Sequence, residues 1–218
     1  MLDMITPYDP PSDPLVILHE DAHILVVDKP AGLLSVPGRG PELADCLITR
    51  LHVVFPELLL VHRLDRDTSG VMVFAMTPHA QRNLSMQFEQ RATKKTYVAR
   101  VAGEVAEKSG EIDLPLIVDW PNRPRQKVCH ETGKAALTEW TRTKMGNGES
   151  WLRLRPKTGR SHQLRVHCLS MGHPILGDPI YAPATYDHYP RMMLHSQELR
   201  LNHPENGLGM KFRSKAPF

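Results

Sequence analysis

Cysteine is scarce in this chain: three in 218 residues, at positions 46, 129 and 168, with no Cys-x-x-Cys pair and an odd one over. That argues against a disulfide frame or a zinc ribbon and for reduced thiols in a cytoplasm. Long apolar runs are missing as well. The stretch LVILHEDAHILVV is broken by charge well short of the roughly 20 residues a membrane helix needs. The opening MLDMITPYDPPSDP has no basic region followed by an apolar run, so neither a secretory signal nor a membrane partner is expected. Gly-x-Gly-x-x-Gly and the P-loop pattern are both absent, which argues against dinucleotide and P-loop nucleotide chemistry. No serine sits in a Gly-x-Ser-x-Gly elbow. The 12 histidines are scattered. His162 and His167 lie five apart rather than the three or four that align ligands on a helix, so no metal is expected.

What remains is an ordinary globular composition, 41% hydrophobic and 23% charged, long enough for one large domain or two small ones. The net charge of +3 is modest, but its distribution is uneven. Residues 1–30 hold Asp3, Asp9, Asp13, Glu20, Asp21 and Asp28 against Lys29 alone. Residues 151–177 hold Arg153, Arg155, Lys157, Arg160 and Arg165 and no acid. Arg123, Arg125 and Lys127 form a second basic cluster in the proline-interrupted WPNRPRQK. Gathered positive charge suits phosphate contacts with salt-sensitive binding, and a solvated basic face fits equally well.

Residues 1–14, with four prolines, read as an extended lead-in to a domain over 15–218. LVILHE and HILVVDK read as paired strands, and VMVFAM as a third. Thr77 and Pro78 suit the N-cap and first position of a helix to about residue 92, with Ala80, Leu84 and Phe88 as its apolar stripe. TYVARVAG, EIDLPLIV, ALTEWTRT, WLRLRP and MMLHSQELRLNHP read as further strands. Ser161 is a candidate cap for a helix ending at Gly172, with Leu164, Cys168 and Met171 on one side. Many strands with few helices predict an α+β fold on a mostly antiparallel sheet, in one domain or in two lobes sharing that sheet.

Three constellations could carry chemistry. His62-Arg63-Leu64-Asp65-Arg66-Asp67-Thr68-Ser69-Gly70 crowds charge into a turn, and the arginines beside Asp65 would favour its ionised form. A salt-bridged turn is the blander reading. In Thr158–His167 a glycine-bearing turn leads into a basic helix start suited to an anion, or else into a surface helix with its charges in water. Tyr97, in the alternating strand KKTYVAR, is a packing aromatic or a stacking platform for a base.

Together these blocks resemble the RluA family of RNA pseudouridine synthases. HRLDRDTSGVMVFA (62–75) is similar to its catalytic motif. VVDKPAGLLSVPG (26–38), KKTYVARV (94–101), KTGRSHQLRVHCLSMGHPILGDPIYA (157–182) and LHSQELRLNHP (194–204) match in the family's order. The resemblance spans roughly residues 15 to 204 and departs at no residue the family uses for chemistry. It implies the family's mixed, mostly antiparallel bent sheet flanked by helices and loops, and an isomerase that needs no cofactor. Many relatives carry an N-terminal S4-type RNA-binding domain; with about 14 residues before the first strand, none is expected here. The compact form and DLPLIVDWPNRPRQKVCHETGKAA most resemble the members with dual specificity. These imply uridine 746 of 23S rRNA and uridine 32 of the tRNA anticodon loop as targets.

Residue by residue, the resemblance makes Asp65 the nucleophile, attacking C1′ or C6 or promoting a glycal, and Arg165 the arginine paired with it. Tyr97 would stack on the target uracil and take the C5 proton. Leu164 would lie beside the base, Arg63 would fill the stack vacated by the flipped uridine, and His62 would be structural support. Arg123, Arg125 and Lys127 are expected to contact RNA backbone, and the enzyme is expected to be a cytoplasmic monomer. The rival readings are a metal-dependent RNA hydrolase with Asp65 and Asp67 as ligands, and an RNA-binding module without catalysis.

Overall fold

The computed structural model describes residues 8–218. The described residues divide into two compact units, one holding residues 8–95 and His195–Pro217, the other Thr96–Leu194 and Phe218. The α+β expectation holds, with a sheet that is mostly antiparallel and includes a parallel pairing of two strands.

In the first unit β1 (Val16–Glu20) and β2 (Ile24–Lys29) form the expected hairpin, and α1 (Leu47–His52) follows. The short β3 (Leu59–Leu60) precedes β4 (Ser69–Ala75), whose seven residues are all buried. A strand covered on both faces reads as a continuous apolar run, as VMVF does. The helix α2 (Pro78–Glu89) starts as expected, with the Thr77 side chain accepting from the Ala80 amide and Ala80 and Leu84 buried. Along one edge β4 pairs with β2. It also takes β3 at Phe74–Ala75 and, in parallel, β11 (Leu194–Asn202) at Ser69–Gly70. Gly70 is obligatory there: its φ is +111°, and a Cβ would lie 2.2 Å from the Ser196 carbonyl oxygen. The strand β12 (Gly209–Arg213) closes this unit against β11.

Residues 1–7 of the expected lead-in lie outside the described residues. Residues 8–14 carry no helix or strand and are tied down, with the Tyr8 hydroxyl bonded to the Asp45 carbonyl and the Arg50 guanidinium to the Pro11 carbonyl.

The second unit orders its strands β5 (Lys94–Ala102), β10 (Glu149–Pro156), β9 (Leu137–Gly146) and β6 (Ser109–Asp113), all antiparallel. EIDLPLIV is not one strand. Pro115 has no amide to donate, and the segment splits into β6 and β7 (Leu116–Val118), which pairs with β8 (Gln126–Val128) in a separate hairpin. The helix α3 (Gln163–Ser170) is not capped by Ser161. His162 is its N-cap, in the left-handed region at φ 54° with no capping side chain. The Gln163 side chain organises this turn instead: its Oε1 accepts from Thr158 Oγ1 (2.7 Å) and the Arg160 amide (3.0 Å), while its Nε2 donates to the Leu137 carbonyl (3.0 Å). Nor is α3 a surface helix, because Gln163 through Cys168 are all buried. The short α4 (Pro183–Tyr186) follows it. Ala99, Val101, Leu152, Leu154, Leu164 and Cys168 are among the core residues of this unit. No helix among the described residues is long and apolar enough to cross a membrane.

Candidate active site

Asp65 lies half-buried in the loop between β3 and β4, and the backbone of the residue on either side of it is gripped. The carbonyl before it, Leu64 O, accepts from Ser35 Oγ at 2.6 Å, and the Leu64 amide donates back to that hydroxyl at 3.1 Å. The carbonyl after it, Arg66 O, accepts from the Gly32 amide at 3.0 Å and from Lys29 Nζ at 2.8 Å. The fully buried Lys29 also donates to the Pro30 and Leu33 carbonyls. A buried ammonium is tolerated only when its protons are satisfied. Here that satisfaction ties KPAGLLS to the Asp65 loop. Residues 29–32, which the sequence placed in the block VVDKPAGLLSVPG without a role for any of them, are therefore part of the support of the site. Apart from that block, the signal in the sequence was a lysine closing the strand ILVVDK.

Arg66 pairs with its other neighbour, Asp67. Its Nε and Nη2 pair with the two oxygens of Asp67 at 2.9 and 3.2 Å, so the second carboxylate of the hydrolase reading is engaged on both sides. Arg63 is exposed. His62 Nε2 accepts from the Val73 amide at 3.1 Å, and its ring stacks on Phe88 at 4.6 Å. An acceptor nitrogen requires a neutral ring. Burial, reinforced by the Lys95 ammonium, pushes the His62 pKa from 6.5 to about 3.

Tyr97, Leu164 and Arg165 belong to the other unit. Tyr97 stands on β5 opposite Leu154 and packs, half-buried, against the core cluster that contains Leu154 and Leu164. The packing reading of this tyrosine thus accounts for only part of its ring. Arg165 is 2% exposed. Its Nε and Nη2 form a two-pronged pair with Asp178 Oδ2 and Oδ1, both at 2.7 Å. Asp178 is fully buried, and Oδ1 also accepts from the Ile180 and Tyr181 amides at 2.9 and 3.0 Å. Burial opposes ionisation of Asp178, yet the Arg165 fork and the two amides hold its pKa below the usual carboxylate value. Sequence reasoning missed Asp178: the block KTGRSHQLRVHCLSMGHPILGDPIYA was matched to the family as a whole, with no role given to this aspartate.

Tyr181 extends this scaffold. The Arg165 and Arg125 guanidinium carbons stand 5.0 and 5.1 Å from its ring centroid. Its hydroxyl accepts from the Gln126 amide at 2.7 Å and lies 2.8 Å from His162 Nδ1. Burial pushes its pKa up to about 12, so it remains a neutral phenol. The basic trio therefore divides. Arg125 is tied to the fold, donating to the Ile180 carbonyl at 2.6 Å. Arg123 lies over the Trp120 ring, and Lys127 sits 3.4 Å from Asp119.

A family model described as "RNA pseudouridylate synthase" matches residues 23–170. A curated relative from Yersinia pestis, named "Dual-specificity RNA pseudouridine synthase RluA", is 54% identical over 206 residues, 94% of this chain and 100% of the relative. One of the same name from Escherichia coli K12 is 52% identical, covering 97% of this chain and 98% of the relative. Among solved structures, human RNA Pseudouridylate Synthase Domain Containing 1 superposes with a TM-score of 0.79 at 30% identity, over 96% of this chain and 87% of that one. The residues that grip Asp65 and the whole of α3 fall inside the matched span, and the identity runs nearly end to end. The chain belongs to the RNA pseudouridylate synthase family and is an RNA-modifying isomerase.

Proposed function

We propose that this enzyme acts on two RNA classes, converting uridine 746 of 23S rRNA and uridine 32 of the tRNA anticodon loop to pseudouridine. The observation that carries this reading is the 52–54% identity, over nearly the whole chain, to relatives named for dual specificity. The reaction breaks N1–C1′, turns the uracil and rejoins it through C5. Atoms and electrons balance within the nucleotide, so the chemistry calls for a carboxylate near the ribose and base rather than for an oxidant or an energy source. Asp65 supplies that carboxylate, and the grip on the backbone carbonyls of its two neighbours supports the role, since a catalytic group must be held to a fraction of an ångström.

Arg165 is the catalytic cation, pre-aimed by Asp178. Tyr97 stacks on the flipped uracil and its hydroxyl receives the C5 proton. Leu164 lies beside the base, and exposed Arg63 fills the gap the uridine leaves. Flipping costs a few kcal/mol and is cheapest in loops, which supports structured loops as substrates. Arg123 and Lys127 belong to the RNA-binding surface, and Arg125 fastens the hairpin that carries them. The enzyme works as a monomer in the cytoplasm, a setting supported by its three free cysteines.

The test is tritium release from RNA labelled at uracil C5, followed by mapping of the modified positions. Wild-type enzyme should release tritium from both a 23S rRNA fragment and a tRNA. Asp65→Asn should bind the same RNAs at least as tightly, having lost a carboxylate that phosphates repel, and should release none. Release from one RNA class alone would refute the dual assignment. Turnover by Asp65→Asn within about tenfold of wild type would remove Asp65 from its role.

A further inference from the structure

Trp120 is 63% exposed, whereas Trp140 of the same unit is buried in the core. It opens a short 3-10 turn, Trp120–Asn122, at the tip of the β7–β8 hairpin. The Arg123 guanidinium lies over its ring, with Cζ 4.1 Å from the centroid.

The tip is rigidly built. The Asp119 amide donates to the Arg125 carbonyl (2.9 Å), the Asn122 amide to the Asp119 carbonyl (2.9 Å) and the Arg125 amide to the Asn122 carbonyl (3.0 Å). Asn122 Nδ2 adds a bond to Asp119 Oδ2 at 2.9 Å. The base of the hairpin is fastened through Arg125 and Gln126 to Ile180 and Tyr181, and through Leu116 and Val128 to a small core with Val166. No other large apolar side chain of this hairpin is exposed among the described residues, so Trp120 is not the edge of an apolar docking patch. A solvent-facing indole bearing a planar cation, with Lys127 two positions beyond Arg125, has the chemistry that stacks bases and follows the backbone of single-stranded RNA.

We propose that Trp120 and Arg123 form a second base-stacking subsite, which holds a non-target nucleotide of the substrate loop and so helps select the RNA. The proposal rests on RNA being the substrate. It is separate from Tyr97, which is assigned to the target uracil.

The experiment compares the wild-type chain with Trp120→Ala and Trp120→Phe on unmodified total RNA labelled at uracil C5, a substrate that does not depend on knowing the target. Trp120→Ala should raise KM by roughly 5- to 150-fold, the loss appearing in KM rather than kcat, and Trp120→Phe should recover most of it. Abasic substitutions are then placed one at a time in the loop that the wild type modifies. At one non-target position the substitution should weaken wild-type binding and add almost nothing in Trp120→Ala. Unchanged KM in Trp120→Ala would overturn the proposal and leave the indole to a protein partner. A defect confined to kcat would overturn it too, by showing that Trp120 only supports the catalytic residues. Wild-type release of tritium is the internal control, so loss of this subsite cannot be confused with a wrong choice of target uridine.

Discussion

Tyr97 offers a ring and a hydroxyl, and two substitutions separate them. Tyr97→Phe keeps the stacking surface and deletes the oxygen; Tyr97→Leu deletes both. If the hydroxyl takes the C5 proton, Tyr97→Phe binds RNA normally and turns over about 10²- to 10⁴-fold more slowly. Tyr97→Leu should lose affinity as well, by about 1–3 kcal/mol of stacking. Single-turnover rates beside binding constants check both, and a fully active Tyr97→Phe would remove the proton-transfer role.

His62 makes a prediction of a different kind. Its folded pKa of about 3 lies below the unfolded 6.5, so in that window the unfolded chain binds a proton that the folded chain refuses. Stability therefore falls as pH drops from 6.5 toward 3 and is unaffected by this group above 6.5. His62→Gln can still accept from Val73 N–H but cannot titrate. Its urea midpoint should decline less over that range than the wild type's, and parallel curves would show that His62 is not the group held neutral.

At the level of the element, α3 is a charged helix made burial-tolerant by specific partners. Its sequence, QLRVHCLS, has too little amphipathic contrast to mark a buried face. Arg165 is admitted by Asp178, Gln163 by the Thr158 turn, and His167 by the Thr138 hydroxyl (3.0 Å) and the Leu114 carbonyl (3.1 Å). Replacing one partner of a buried ion pair leaves the other uncompensated. Asp178→Asn should therefore destabilise the protein by about 3–5 kcal/mol in urea unfolding. At temperatures where the variant stays folded, its activity should fall through kcat more than through KM, because the guanidinium is no longer aimed. A variant as stable as the wild type would show the pair to be dispensable.

For the whole molecule the question is where positive charge meets RNA. Arg123 is exposed and Lys127 is 55% exposed, whereas the Arg125 guanidinium is engaged with Ile180 and Tyr181. Neutralising Arg123 and Lys127 together should lower the slope of log affinity against log salt by about 0.7–0.9 for each phosphate that is no longer neutralised. Arg125→Gln should instead cost stability first, with a lower urea midpoint. An unchanged salt slope in the double variant would show this hairpin to be only a solvated surface.

The sequence by itself determined the elements with strong local signals. The Thr77-Pro78 start of α2 declares itself through capping chemistry, and β2 and β4 through unbroken β-branched and apolar runs. The ordered motifs were enough to name the family and to propose Asp65, Tyr97 and Arg165, because each sits in a short contiguous block. Only the tertiary structure decided what holds those residues. Lys29 meets Arg66 across 37 positions and Ser35 meets Leu64 across 29. Asp178 meets Arg165 across 13, and Arg125 reaches Ile180 across 55. Such pairings leave no periodicity in the chain: a buried lysine or aspartate looks like a surface one until the carbonyls, amides and guanidinium that satisfy it are brought alongside. The physical reason is that burying a charge is unfavourable without partners, and folding supplies those partners from distant segments.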